Sequence, residues 1–168
     1  MLRGMMEVRR AHPQESEALT ALAHASKSYW PYPESWIAAW REQLTLSPSF
    51  IAEQAVFAAV EDERVVGCYA LTACAEEHDP GDGERHIELE HMWIDPSMIG
   101  HGLGRRLFEH AVAEARRRGG QALFIDSDPY AEDFYRHLGA VRIGSTRADI
   151  EGVRRELPRL RFDLTEDD

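Results

Sequence analysis

Three glycines at alternate positions, Gly100, Gly102 and Gly104, follow the pair Asp95-Pro96 and lead into Arg105-Arg106 and an apolar stripe. The Asp-Pro pair stops an extended segment, the glycines let the backbone turn and approach a ligand closely, and the stripe opens a helix. The unpaired N–H groups of a first helical turn, with the positive end of the helix dipole, favour an anion such as a phosphate. Gly100-His101-Gly102-Leu103-Gly104-Arg105 is therefore a candidate anion cradle; the plainer alternative is a tight turn that holds nothing. Spacing excludes two nucleotide patterns. A dinucleotide fingerprint needs a small residue where Arg105 stands, and a triphosphate loop needs a Lys-Ser/Thr pair that is absent.

Other residues have chemistry of their own. In the alternating run His86–Ile94, Ile87, Leu89, His91 and Trp93 share one face and Glu88 and Glu90 the other. The two carboxylates suit a general base or the attraction of a cationic substrate; the alternative is a pair of solvated side chains on an exposed strand face. His91, with the opposite parity, reads as a half-buried strand histidine, and His101 as a loop residue. Cys68 and Cys74, six apart on one strand, cannot bridge, and nothing marks either as an activated thiolate. His86 and His91 have no zinc-site spacing, so no metal is expected.

The run from Met92 to Arg106, strand, proline stop, glycine loop and helix start, resembles the coenzyme A signature of the GNAT superfamily of N-acetyltransferases, Arg/Gln-x-x-Gly-x-Gly/Ala. Gly102 and Gly104 match; Ile99 stands where the family has Arg or Gln. Further on, Asp128-Pro129-Tyr130-Ala131-Glu132-Asp133-Phe134-Tyr135 followed by Gly139-Ala140 resembles the family's Asn-x-x-Ala-x-x-x-Tyr…Gly-Phe segment, with Asp128 in place of Asn and Ala140 in place of Phe. Two motifs at the proper separation are more specific than either alone.

The resemblance implies acetyl-CoA as co-substrate and transfer of its acetyl group to a primary amine of a small molecule or peptide, by direct attack in a ternary complex. It assigns the carrier to Met92, Trp93 and Ile94 along the pantetheine arm, to Ile99, Gly100, His101, Gly102, Leu103, Gly104 and Arg105 at the pyrophosphate, and to Asp128. Tyr135 becomes the acid that protonates the departing thiolate; a ring packed on the sheet is the alternative. Glu88 is the first candidate for the base, with Glu90 beside it. Tyr29, Trp30 and Tyr32 are assigned to an amine-accepting pocket, while Trp36 and Trp40, one helical turn apart, read as core. The rival from another class is a non-catalytic acyl-CoA-binding sensor or interaction module. Ile99 favours that rival; Tyr135 and the paired glutamates speak against it.

The elements that must position these residues follow from periodicity. An extended start around Val8 precedes a helix opened by Pro13 and carrying Leu19, Leu22 and Ala23. After the break at Ser28–Pro33, Trp36, Ile37, Trp40 and Leu44 recur at helical spacing. Strands Val56–Val60 and Val65–Thr72 form a hairpin about Glu61-Asp62-Glu63-Arg64, and a polar loop at 76–85 leads to His86–Ile94. A helix follows on the stripe Leu103, Leu107, Phe108, Ala111, Val112 and Ala115, then a strand Ala122–Asp126, a short helix Ala131–His137, a strand from Val141 and a last strand Leu160–Leu164 behind Pro158. The expected fold is α/β: a single GNAT-like domain over residues 1–168, with a mixed, mostly antiparallel sheet flanked by helices, splayed central strands, and an acidic tail at 166–168 that frays.

Composition excludes several classes. With 168 residues and 43% hydrophobic content the chain suffices for one core. A net charge of −11 without a basic stripe argues against a nucleic-acid partner and modestly favours a cationic acceptor such as a polyamine or basic peptide. No apolar run approaches the roughly 20 residues of a membrane span, and no signal-type segment opens the chain, so a cytoplasmic protein is expected. A homodimer paired through a sheet edge stays open.

Overall fold

Seven extended segments appear in the computed structural model, which describes residues 5–74, 81 and 83–165. They are β1 (Met6–Arg10), β2 (Ala55–Glu61), β3 (Arg64–Ala73), β4 (His86–Ile94), β5 (Ala122–Asp126), β6 (Val141–Arg147) and β7 (Glu156–Asp163). They form one sheet in the order β1-β2-β3-β4-β5-β7-β6. β1 runs antiparallel to β2, β7 antiparallel to both β5 and β6, and β4 parallel to β5. The sheet is thus mixed and mostly antiparallel, as expected. The ladder between β4 and β5 joins His86, Ile87 and Glu88 to Ala122, Leu123 and Phe124 and stops there, although β4 continues to Ile94. This early parting is the splay expected of the central strands.

The α-helices among the described residues are α1 (Ser16–Ser28), α2 (Glu34–Ala39), α3 (Arg41–Leu44), α4 (Pro48–Glu53), α5 (Leu103–Arg117) and α6 (Glu132–His137). Among the described residues none is long and apolar enough to cross a membrane. The chain gathers into two compact units, residues 1–70 with 91–110, and residues 71–90 with 111–168.

In the first unit Leu19, Leu22 and Ala23 of α1 are buried, as their spacing requires, along with Val56, Ala58 and Ala59 of β2 and Val66, Cys68 and Tyr69 of β3. Phe57 stacks on Tyr69 at 5.3 Å, and the Tyr69 hydroxyl lies 2.6 Å from Nδ1 of His110. Gly67 sets how closely α5 seats on the sheet: a Cβ there would stand 2.8 Å from Cδ1 of Leu107 and 3.3 Å from the Trp93 carbonyl oxygen. In the second unit Leu123, Phe124 and Ile125 of β5, Leu160 of β7 and Ala111 and Ala115 of α5 are buried. A segment expected at 76–85 lies largely outside the described residues, as does the tail at 166–168.

Three sequence expectations need correction. The second helix is two, because Trp40 closes α2 with φ −84° and ψ 0° before α3 begins. Helix α4 was not anticipated, although its signal is present: the Ser47 hydroxyl accepts from the Phe50 N–H at 3.1 Å, and Pro48 occupies the first turn. Strand β7 starts at Glu156, four residues before Leu160, and contains Pro158. That proline is tolerated because its carbonyl accepts from the Ser127 N–H just past the end of the β5 ladder. Its nitrogen therefore faces the same way, and no bond to β6 is lost.

The hairpin between β2 and β3 turns at Asp62 and Glu63, with φ of +51° and +63°. Two consecutive positive φ values are what a two-residue hairpin requires, and glycine suits the second of them far better than glutamate. Glu63→Gly is expected to raise the unfolding free energy by about 0.5–1 kcal/mol, read from urea denaturation; an unchanged midpoint would mean the turn holds no strain.

Candidate functional site

The end of β4 is punctuated by Asp95. Its Oδ1 accepts from the Ser97 N–H at 2.9 Å and from the Ser97 hydroxyl at 2.7 Å, and Pro96–Met98 make one tight turn. Hydrogen bonding of this carboxylate to Ser97 holds its pKa below the ordinary value. Gly100 and Gly102 then adopt φ of +84° and +81°, the left-handed region that glycine enters without penalty. A Cβ on either would find nothing within 4 Å, so each glycine borders open space. The Arg106 N–H donates to the Gly102 carbonyl at 3.2 Å. That opening bond of α5 leaves the N–H groups of Gly102, Leu103, Gly104 and Arg105 without helical acceptors. An anion fits this arrangement: unbonded backbone donors at the positive end of a fifteen-residue helix.

The flanking side chains do other work. Nε of Arg105 donates to Glu109 at 3.0 Å, and Arg106 reaches the Met6 carbonyl at 3.0 Å. Leu103 is buried and anchors the helix start, His101 is exposed, and Ile99 is 41% exposed. Along β4, Met92, Trp93 and Ile94 are half-buried. The Trp93 indole donates to Nδ1 of His91 at 2.9 Å, which places the His91 proton on Nε2. His91 is buried against Phe50, with ring centres 5.5 Å apart, deeper than its sequence reading. The Ile94 N–H donates to the Ser26 hydroxyl at 3.3 Å, a partner no sequence pattern marks.

In the second unit the residue that sequence reasoning missed is Arg159. Only 8% of its side chain is exposed, and its guanidinium grips both oxygens of Glu88, with Nη1 to Oε2 at 3.0 Å, and reaches Oδ1 of Asp126 at 3.2 Å. It also lies over the Phe124 ring at 4.8 Å. Thr146 adds a hydroxyl bond to Asp126 at 2.8 Å. Glu88 is thus neither a solvated strand carboxylate nor one with its lone pairs at leisure, whereas Glu90 is exposed. Arg159 offers no local motif; only the register of β7 reveals it.

Tyr135 is buried on α6, edge-on to Phe134 at 5.0 Å. Burial, and then the nearby Asp128 carboxylate, push its phenol pKa up, so it stays protonated at neutral pH. Asp128 repeats the role of Asp95: its Oδ1 accepts from the Tyr130 N–H at 2.9 Å ahead of Pro129. Burial pushes the Cys68 thiol up to about 12, and burial and Glu88 raise that of Cys74, so both stay protonated.

Of the expected acceptor residues, Tyr29 is 52% exposed and meets Trp30 edge-on at 5.0 Å, while Tyr32 joins a different group with Trp36 and Trp40. Trp40 is buried as expected of core; Trp36 is only half-buried.

Known structures resemble this fold. A GCN5-related N-acetyltransferase (Aminotransferase, Class-II) from Rhodopseudomonas palustris superposes with a TM-score of 0.75 at 20% identity, over 97% of this chain and 98% of that one. The PaiA N-acetyltransferase from Thermoplasma acidophilum, solved in complex with coenzyme A, gives 0.70 at 18% identity, over 95% and 99%. The ribosomal-protein-S18-alanine N-acetyltransferase from Escherichia coli gives 0.68 at 16%, over 98% and 97%. At such identities the likeness is one of fold. Residues 17–140 match the acetyltransferase (GNAT) family in sequence, and since that match spans most of its length, this chain belongs to the GNAT family of acetyltransferases.

Proposed function

We propose that the protein is an acetyl-CoA-dependent N-acetyltransferase that acylates a primary amine by direct attack. The observation that carries this reading is the loop before α5, where two positive-φ glycines bordering open space lead into the N–H groups of Gly102–Arg105 that the helix leaves unbonded. Acetyl-CoA supplies the thioester; the chain supplies the rest. The loop amides grip the diphosphate, and Met92–Ile94 hold the pantetheine arm. An attacking amine is cationic at neutral pH and must lose a proton. Because Arg159 occupies Glu88, the exposed Glu90 is the better base, with Glu88 fixed as a positioning group. Tyr135, whose phenol holds its proton at neutral pH, serves as the acid toward the leaving thiolate. Protonated Cys68 and Cys74 support direct transfer over an acyl-cysteine route.

Calorimetry with coenzyme A and acetyl-CoA, followed by thiol release with polyamines, aminoglycosides, amino acids and peptides, tests the reading. Micromolar binding and amine-dependent thiol release are expected. Binding without release would instead favour an acyl-CoA sensor, which the exposed Ile99 would suit. Tyr135→Phe is expected to lower kcat by about 10²-fold, the size of a lost acid, with carrier affinity unchanged; an unaltered kcat would remove Tyr135 from the reaction.

A further inference from the structure

Tyr32, Trp36 and Trp40 converge in the first unit. Tyr32 stacks on Trp36 with ring centres 6.0 Å apart and planes at 29°, and meets Trp40 edge-on at 5.1 Å and 86°; the two indoles stand 5.8 Å apart at 73°. Into this corner reaches the ammonium of Lys27, 4.4 Å from the Trp40 ring centre and 5.0 Å from that of Tyr32. Lys27 is the single lysine among the chain's 19 basic residues.

The faces of aromatic rings are negative, and two faces set at about a right angle suit a compact cation that can lie over both at once. A planar guanidinium stacks on one face at a time. The corner is therefore selective for an ammonium, and Lys27, which reaches into it, carries one. Its location also bears on chemistry. Ser26, the neighbour of Lys27, accepts from the Ile94 N–H at 3.3 Å, which ties the last turn of α1 to the end of β4. The half-buried lysine has a long flexible stem that can carry its charge out to solvent.

We propose that Tyr32 and Trp40, with Trp36 packed against both rings, form an ammonium subsite for the acceptor, and that Lys27 is its internal occupant, displaced when an aliphatic ammonium of the substrate enters. The identity of the natural ligand rests on the amine-acyltransfer reading; the recognition itself does not need the acyl carrier.

The test follows tryptophan emission of the full chain, without any coenzyme A, during titration with tetramethylammonium chloride and, separately, sodium chloride at matched ionic strength. Lys27→Ala removes the lysine ammonium from the corner and is expected to give a saturable response to tetramethylammonium, with affinity about tenfold tighter than that of the parent protein. Lys27→Gln, which keeps most of the stem without the charge, is expected to shift the same way and decides the matter if the alanine variant does not fold. Adding Tyr32→Leu, which removes one of the two rings under the cation, to either is expected to abolish saturation. Identical responses to the two salts, or affinity no tighter than the parent's, would overturn the proposal. Because the carrier is absent, such a failure leaves the calorimetric test of acetyl-CoA binding standing, and the reverse also holds.

Discussion

Gly102→Val is expected to weaken coenzyme A binding by about tenfold to hundredfold. Gly102 sits at φ +81°, where a β-branched residue is a genuine outlier. Holding a non-glycine residue there costs roughly 1–3 kcal/mol, and each 1.4 kcal/mol is a factor of ten in affinity. Nothing stands within 4 Å of the added Cβ, so the strain comes from the backbone and not from a clash. The loop relieves it by rotating, and the amides of Gly102–Arg105 are turned from their present positions. Isothermal titration with coenzyme A, which needs no turnover, measures the loss. Gly144→Ala in β6, where the Cβ also meets nothing within 4 Å and φ is ordinary, serves as the control and is expected to bind normally. Parent-like affinity in the valine variant would show that these amides do not hold the carrier.

Arg159→Met is expected to destabilise the fold by about 3–5 kcal/mol, the usual penalty for removing one partner of a buried ion pair. Methionine fills much the same volume, so little is lost in packing. What remains is Glu88, with 13% of its side chain exposed, and Asp126, both without the guanidinium that their charges face. Adding Glu88→Gln to the variant removes one of the stranded charges and is expected to recover a large part of the loss. Urea denaturation of the single and double variants measures both numbers. A single variant within about 0.5 kcal/mol of the parent would place this pair with exposed ion pairs, which contribute little.

These two sites differ in how far the sequence discloses them. The glycine loop is contiguous: Asp95-Pro96, the alternate glycines and the stripe from Leu103 are neighbours along the chain, and each local rule points the same way. The same is true of α5 and of the strand His86–Ile94, whose periods are long enough to read. Glu88 and Arg159 are separated by 71 positions and meet only through strand register, which no local pattern contains. Short elements fail for another reason. α3 and α4 are too brief to show a helical period, so Trp40 reads as the middle of one helix when it is the joint between two. Pro158 misleads because the rule that proline ends strands assumes a partner on the nitrogen side, and here the β5 ladder has already run out. Tyr32, Trp36 and Trp40 are evident as aromatic residues, but their convergence on Lys27 depends on how the chain turns through Pro31 and Pro33.

Cys68, central in β3 and wholly shielded, gives the chain a built-in clock for opening. A shielded thiol is alkylated only in molecules whose strand has come apart, so its labelling rate counts those excursions. Half-buried Cys74 can react sooner and is separable from Cys68 by peptide mapping. Any ligand that favours the closed form therefore slows the first modification, and occupancy becomes legible in a mass spectrum without a catalytic assay.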